Sequence, residues 1–215
     1  MSYGVRMMNF DRRSLMLGAG AGLVLAGCDR SRPASVEIDT NQPEKVKRLL
    51  AAARRQIGVT IRYDAAYARL PFPNGDVPRE RGTCTDVVVR AYRDAFGVDL
   101  QALVNADMRA AFGAYPRRWG LSRPDSNIDH RRVPNLATFL SRRGAALPIP
   151  RGAAGWRPGE IFTSLVDDRS PHIGLVSDRR GPGGWLILHN IGAGTREEDG
   201  LTASPITGRY RWGLG

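Results

Sequence analysis

The sequence predicts an α+β domain in which helices come first and an antiparallel sheet follows. Three observations predict it. Apolar residues recur at helical spacing in four segments between positions 43 and 143. From position 159 onward the texture changes to short runs of Ile, Val, Leu and Phe broken by Gly, Pro and Asp. No internal repeat interrupts that order.

The first helix is expected over 43–57. Pro43 suits its first position, Val46, Leu49, Leu50, Ala53 and Ile57 form one stripe, and Gly58 stops it. Residues 64–82 read as loop, punctuated by Pro71, Pro73, Asn74-Gly75 and Pro78. A second helix is expected over 84–96, ended by Gly97, and a third over 100–112. Residues 115–133 are irregular and rich in Pro and Arg, and a short helix over 134–143 is closed by Gly144. Strands are predicted over 159–166, 172–177, 185–190 and 206–212.

Composition narrows the function classes. With 215 residues, 42% apolar and 25% charged, the chain is neither disordered nor fibrous. Its 2 Cys cannot build a disulfide scaffold, and no apolar run is long enough for a multi-span membrane protein. The net charge is +11, and the basic residues are arginines apart from Lys45 and Lys47. Such a field attracts anions: nucleic acid, anionic lipid head groups or acidic wall polymers. The arginines are scattered, with only doublets such as Arg131-Arg132 and Arg142-Arg143, so no nucleic-acid partner is expected.

Residues 1–27 read as a secretory signal, with Arg12 and Arg13 ahead of a glycine-softened apolar run over 15–27. Residues 28–42 read as a polar tether and 43–215 as the folded domain. Leu25-Ala26-Gly27-Cys28 resembles the lipobox of bacterial lipoproteins, and Asp11-Arg12-Arg13-Ser14-Leu15 resembles a twin-arginine export signal. The lipobox resemblance implies acylation of Cys28 and a protein held by lipid on the periplasmic side of a bacterial envelope.

That would leave Cys84 as the single thiol of an exported domain, placed where a loop enters a helix, with unpaired N–H groups and the helix dipole to favour a thiolate. The histidines are His130, His172 and His189, the last two in neighbouring predicted strands. A cysteine, a histidine to take its proton and a polar group to orient that histidine make a cysteine-hydrolase set. A zinc site from Cys84, His172 and His189 is the competing use of the same residues. No close CxxC or HxxxH spacing supports it, so no metal and no cofactor is expected.

Thr83-Cys84-Thr85-Asp86 and the apolar segment after it resemble the nucleophile helix of the papain-like NlpC-type cell-wall hydrolases. Arg157-Pro158-Gly159-Glu160-Ile161-Phe162 resembles the strand entry that precedes their base. Pro171-His172-Ile173-Gly174-Leu175-Val176 resembles the strand that carries the base, and Ile187-Leu188-His189 the strand that carries the third polar residue. More closely, residues 44–213 are similar to a bacterial family of unknown function numbered 1287, through Asn127-Ile128-Asp129-His130-Arg131-Arg132-Val133-Pro134-Asn135-Leu136 and His189-Asn190-Ile191-Gly192.

The resemblance implies a papain-like NlpC-type fold, with Cys84 as nucleophile, His172 as base and His189 as orienting group. Asn190 is the alternative third residue, because adjacent strand residues face opposite ways. Tyr63, Asp86, Asp129, His130 and Arg131 are the candidate substrate contacts, with Tyr67 an alternative to Tyr63 near the oxyanion. The sequence departs from the NlpC pattern around the nucleophile, where an acid usually precedes and Ser-Gly follows. The implied function is amidase or endopeptidase action on peptidoglycan stem peptides or another envelope amide, by a monomer. A catalytically silent wall-binding module of the same fold is the alternative.

Overall fold

The computed structural model describes residues 37–214; the expected signal, Cys28 and most of the expected tether lie outside them. The described chain begins with a two-residue strand, β1 (Glu37–Ile38), and helix α1 (Glu44–Arg54). Strands β2 (Arg62–Tyr63) and β3 (Arg81–Gly82) form a small parallel pair. Helices α2 (Cys84–Phe96), α3 (Leu100–Ala110) and α4 (Val133–Arg142) follow. Then come β4 (Ile161–Val166), β5 (Ser170–Gly181), β6 (Gly184–Asn190), β7 (Thr195–Glu198) and β8 (Ile206–Tyr210). These five make an antiparallel sheet in the order β7-β6-β5-β4-β8, an α+β architecture. No helix among the described residues is long and apolar enough to cross a membrane.

Strand alternation gives the sheet two buried faces. Ile161 of β4, Ile173 and Leu175 of β5, Leu188 of β6 and Tyr210 of β8 point to the helices and share one core with Leu49, Val88, Leu136 and Phe139. Phe162, Val176, Trp185, Ile187 and Leu201 form a second, smaller core on the other face. Helix α2 lies centrally and is buried on nearly every side, Cys84 through Tyr92 included, as expected of a helix enclosed by others and by a sheet. Thr83 and Asp86 close a capping box at its start, and Gly97 ends it in the left-handed conformation with φ 69°.

Several expectations shift. Helix α1 stops at Arg54, so Ile57 leaves the core stripe and is 43% exposed. Helix α3 ends at Ala110, and Phe112–Ala114 tightens into a single 3-10 turn. Strand β5 is twice the expected length, because β6 and β1 pair along its far half after β4 has ended at Leu175. Two residues of the expected tether, Glu37 and Ile38, pair with Arg180 and Arg179 of β5. Strand β7 was not legible, since Thr195-Arg196-Glu197-Glu198 lacks an apolar alternation; ion pairs and ladder bonds hold it instead.

Candidate active site

Cys84 is the first residue of α2, 3% exposed, in the core between helices and sheet. Its sulfur meets β5 at the backbone N–H of Ile173 and neighbours the Tyr63 hydroxyl. Burial pushes the thiol up to about 11, partly offset by the Ile173 N–H. Burial likewise pushes Tyr63 up to about 12, followed by the charge of Cys84. The thiol opens into a cleft of about 290 Å3 whose walls include Tyr63, Trp119, Arg131, Arg132 and Pro171. The guanidinium of Arg132 lies 4.0 Å over the Trp119 ring and closes one side of it.

His172 follows Pro171 in β5 and precedes Ile173. Since Ile173 faces the helices, the His172 side chain leaves on the other face, cross-strand from Ser164 and beside Phe162. There its Nε2 lies 2.9 Å from Nδ1 of His189, and Nε2 of His189 lies 3.0 Å from the Glu198 carboxylate. The two imidazoles are each 5% exposed. Burial first, and then the neighbouring His189, drive His172 down to about 3. His189 is also lowered by burial, against the pull of Glu198. Both rings are therefore neutral near pH 7. They open into a second cavity, of about 160 Å3, with Ser164 and Ile191.

The structure thus brings His172 and His189 together and places the Cys84 sulfur one residue further along the same strand. The thiol and the imidazole open into different cavities, and their lining passes from Pro171 to His172 in consecutive residues. The hydrogen bonds of the histidines run to one another and to Glu198, and none runs to Cys84. The resting pair is a neutral thiol near a neutral imidazole, not the thiolate that the helix terminus led us to expect. Burial outweighs the helix dipole here.

Asn190 does not take the orienting place. It faces the helices, donates to the carbonyl of Gly82 at 3.0 Å and accepts from the Gly192 N–H. Three of the expected substrate contacts are corrected by burial. Asp86 is held by Arg131 and by the Thr83 N–H. Burial works to raise its carboxyl, and Arg131 overcomes that, leaving it below its ordinary value. Asp129 is raised by burial and binds the Asp125 N–H, Arg132 and Asn135. His130 is enclosed, with Nδ1 unpartnered, and burial drives it down to about 4. Tyr63 and Arg131 do line the cleft, although the Arg131 guanidinium is spent on Asp86 and the carbonyls of Asp64 and Ala66. Tyr67 instead binds Asp125 and Asn127. Glu198 is the site residue that sequence reasoning missed. Its only signal was an acid on a segment with no strand pattern.

Comparison with known proteins adds a family. A family profile described as "Domain of unknown function (DUF1287)" matches residues 50–212. The "Uncharacterized protein YijF" of Escherichia coli (strain K12) is 50% identical over 161 residues, spanning 74% of this chain and 78% of that protein. No solved structure matches. Cys84, His172, His189 and Glu198 all fall inside the matched region, and the chain belongs to the DUF1287 family.

Proposed function

We propose that this chain is a papain-like, NlpC-type cysteine hydrolase cleaving an amide of peptidoglycan stem peptides or of another cell-envelope peptide. The observation that carries the reading is the fixed histidine pair, with His172 on the strand whose next residue meets the thiol. His172 is held through Nε2, its Nδ1 has no hydrogen bond among the described residues, and the next backbone N–H along the strand meets the Cys84 sulfur. In the reaction His172 Nδ1 takes the thiol proton as sulfur attacks the carbonyl carbon. The N–H groups at the start of α2 receive the oxyanion. The proton passes to the leaving amine as the C–N bond breaks. Water then attacks the thioester, and His172 takes a proton from that water and passes it to the departing sulfur as the C–S bond breaks. The reaction requires Cys84 and His172, which open into different cavities, to meet around the start of β5 beside Pro171 when substrate arrives. Such contacts often tighten only in the complex. An N-terminal lipid on Cys28, after export by the twin-arginine route, would hold the domain at the periplasmic face of the envelope.

The burial of Cys84 and the absence of a sulfur–imidazole hydrogen bond favour a second reading, a silent module that binds wall material. Mass spectrometry of purified peptidoglycan separates the two. The hydrolase reading expects new amine and carboxylate termini with the wild-type domain and none with Cys84→Ala. Intact peptidoglycan with the wild-type domain, combined with equal sedimentation of both proteins on it, would establish the module instead.

A further inference from the structure

We propose that Glu198 is a positioning residue that fixes the tautomers of both histidines and so leaves a lone pair on Nδ1 of His172. The geometry is a linear chain of three side chains on adjacent strands. Glu198 of β7 is cross-strand from Ile187, His189 of β6 is cross-strand from Arg196, and His172 sits near the start of β5. The contacts are 3.0 Å from Glu198 Oε1 to His189 Nε2 and 2.9 Å from His189 Nδ1 to His172 Nε2.

The proton positions follow from what each group can do. A carboxylate only accepts, so His189 carries its hydrogen on Nε2. A neutral imidazole with hydrogen on Nε2 has its lone pair on Nδ1, so His189 accepts there and His172 donates from Nε2. His172 then has its lone pair on Nδ1. Without the carboxylate the remaining His189–His172 contact is equally satisfied in reverse, with His189 donating from Nδ1 and His172 carrying hydrogen on Nδ1. In that arrangement His172 cannot accept a proton from the thiol. Arg196 lies 4.0 Å from the other Glu198 oxygen at the strand edge. Among the described residues no other side chain bonds the outer nitrogen of His189.

The consequence for catalysis rests on the reading of His172 as the base; the tautomers do not. Two measurements keep them apart. Long-range 1H–15N correlation spectra of the histidine rings, recorded near pH 7, should show hydrogen on Nε2 of His172 and His189 in the wild-type protein. Glu198→Ala should move part or all of the hydrogen on His172 to Nδ1, while the thermal midpoint barely shifts, because the Glu198 side chain is 39% exposed. Glu198→Gln, whose amide can either accept or donate, should fall between them. If Glu198→Ala keeps the wild-type tautomers, or if the wild-type protein already carries hydrogen on Nδ1 of His172, the proposal fails. Should the domain cleave amides, Glu198→Ala should lower kcat by about tenfold to a hundredfold and leave KM within about twofold. Altered tautomers without any wild-type cleavage would remove the hydrolase reading and leave the positioning role standing.

Discussion

The side-chain amide of Asn190 donates to the carbonyl oxygen of Gly82 at 3.0 Å, tying the end of β6 to the turn that delivers Cys84. Both partners are buried, and the Gly82 carbonyl also accepts from the Asp64 N–H at 3.0 Å, so removing the Asn190 donor takes away one of its two bonds. Asn190→Ala should lower unfolding stability by about 0.5–1.5 kcal/mol in urea titration, the worth of one lost hydrogen bond. It should also speed alkylation of Cys84, because the start of α2 loses its tie to the sheet. An unchanged alkylation rate would mean that the capping box alone fixes the thiol.

Gly174 lies one residue beyond Ile173 on the histidine face. A Cβ there would stand 2.7 Å from the Phe162 ring and 2.9 Å from the carbonyl oxygen of Leu188. The first neighbour can move, but the second is ladder backbone. Gly174→Ala should cost about 1–3 kcal/mol by overpacking, read as a drop in the urea midpoint. It should also shift the His172 ring resonances, since Phe162 packs on that imidazole.

Asp86 and Arg131 form an ion pair with side chains 4% and 2% exposed. Asp86→Ala strands a buried guanidinium and removes the acceptor of the Thr83 N–H. The expected loss is about 3–5 kcal/mol, enough to lower the midpoint sharply in calorimetry. A small loss would show that Arg131 finds other partners among the carbonyls it already meets.

Acid should unfold the domain in a window set by its histidines. His130 and His172 stay neutral down to about 4 and about 3, while the unfolded chain binds protons near its ordinary pKa of roughly 6.5. The unfolded state therefore holds more protons below that pH, and stability is full above it and falls as pH drops toward the folded values. Each histidine inside its window contributes a slope of about 1.4 kcal/mol per pH unit. Urea midpoints measured between those limits should decline steadily, and His172→Gln should flatten the decline by one histidine's share.

Much of this was legible in the sequence, for identifiable reasons. Helices α2 and α4 matched expectation within a residue, because Gly97 and Gly144 stop them and their apolar stripes are regular. His172 and His189 were expected side by side, and alternating strand geometry delivers that. The overreach lay where one-dimensional reading has no measure of depth. Asp86, Asp129 and His130 were read as substrate contacts, yet all three are interior: Asp86 and Asp129 pair with Arg131 and Arg132, and His130 is enclosed and neutral. Glu198 was invisible because an edge strand held by salt bridges leaves no hydrophobic alternation to read.

Strand β1 has a bearing on how the domain is presented. Glu37 sits opposite Arg180, eight positions along β5 from His172, which is roughly 26 Å of extended strand. Glu37 and Ile38 thus add ladder bonds at one end of that strand, and the His172–His189–Glu198 chain lies toward the other.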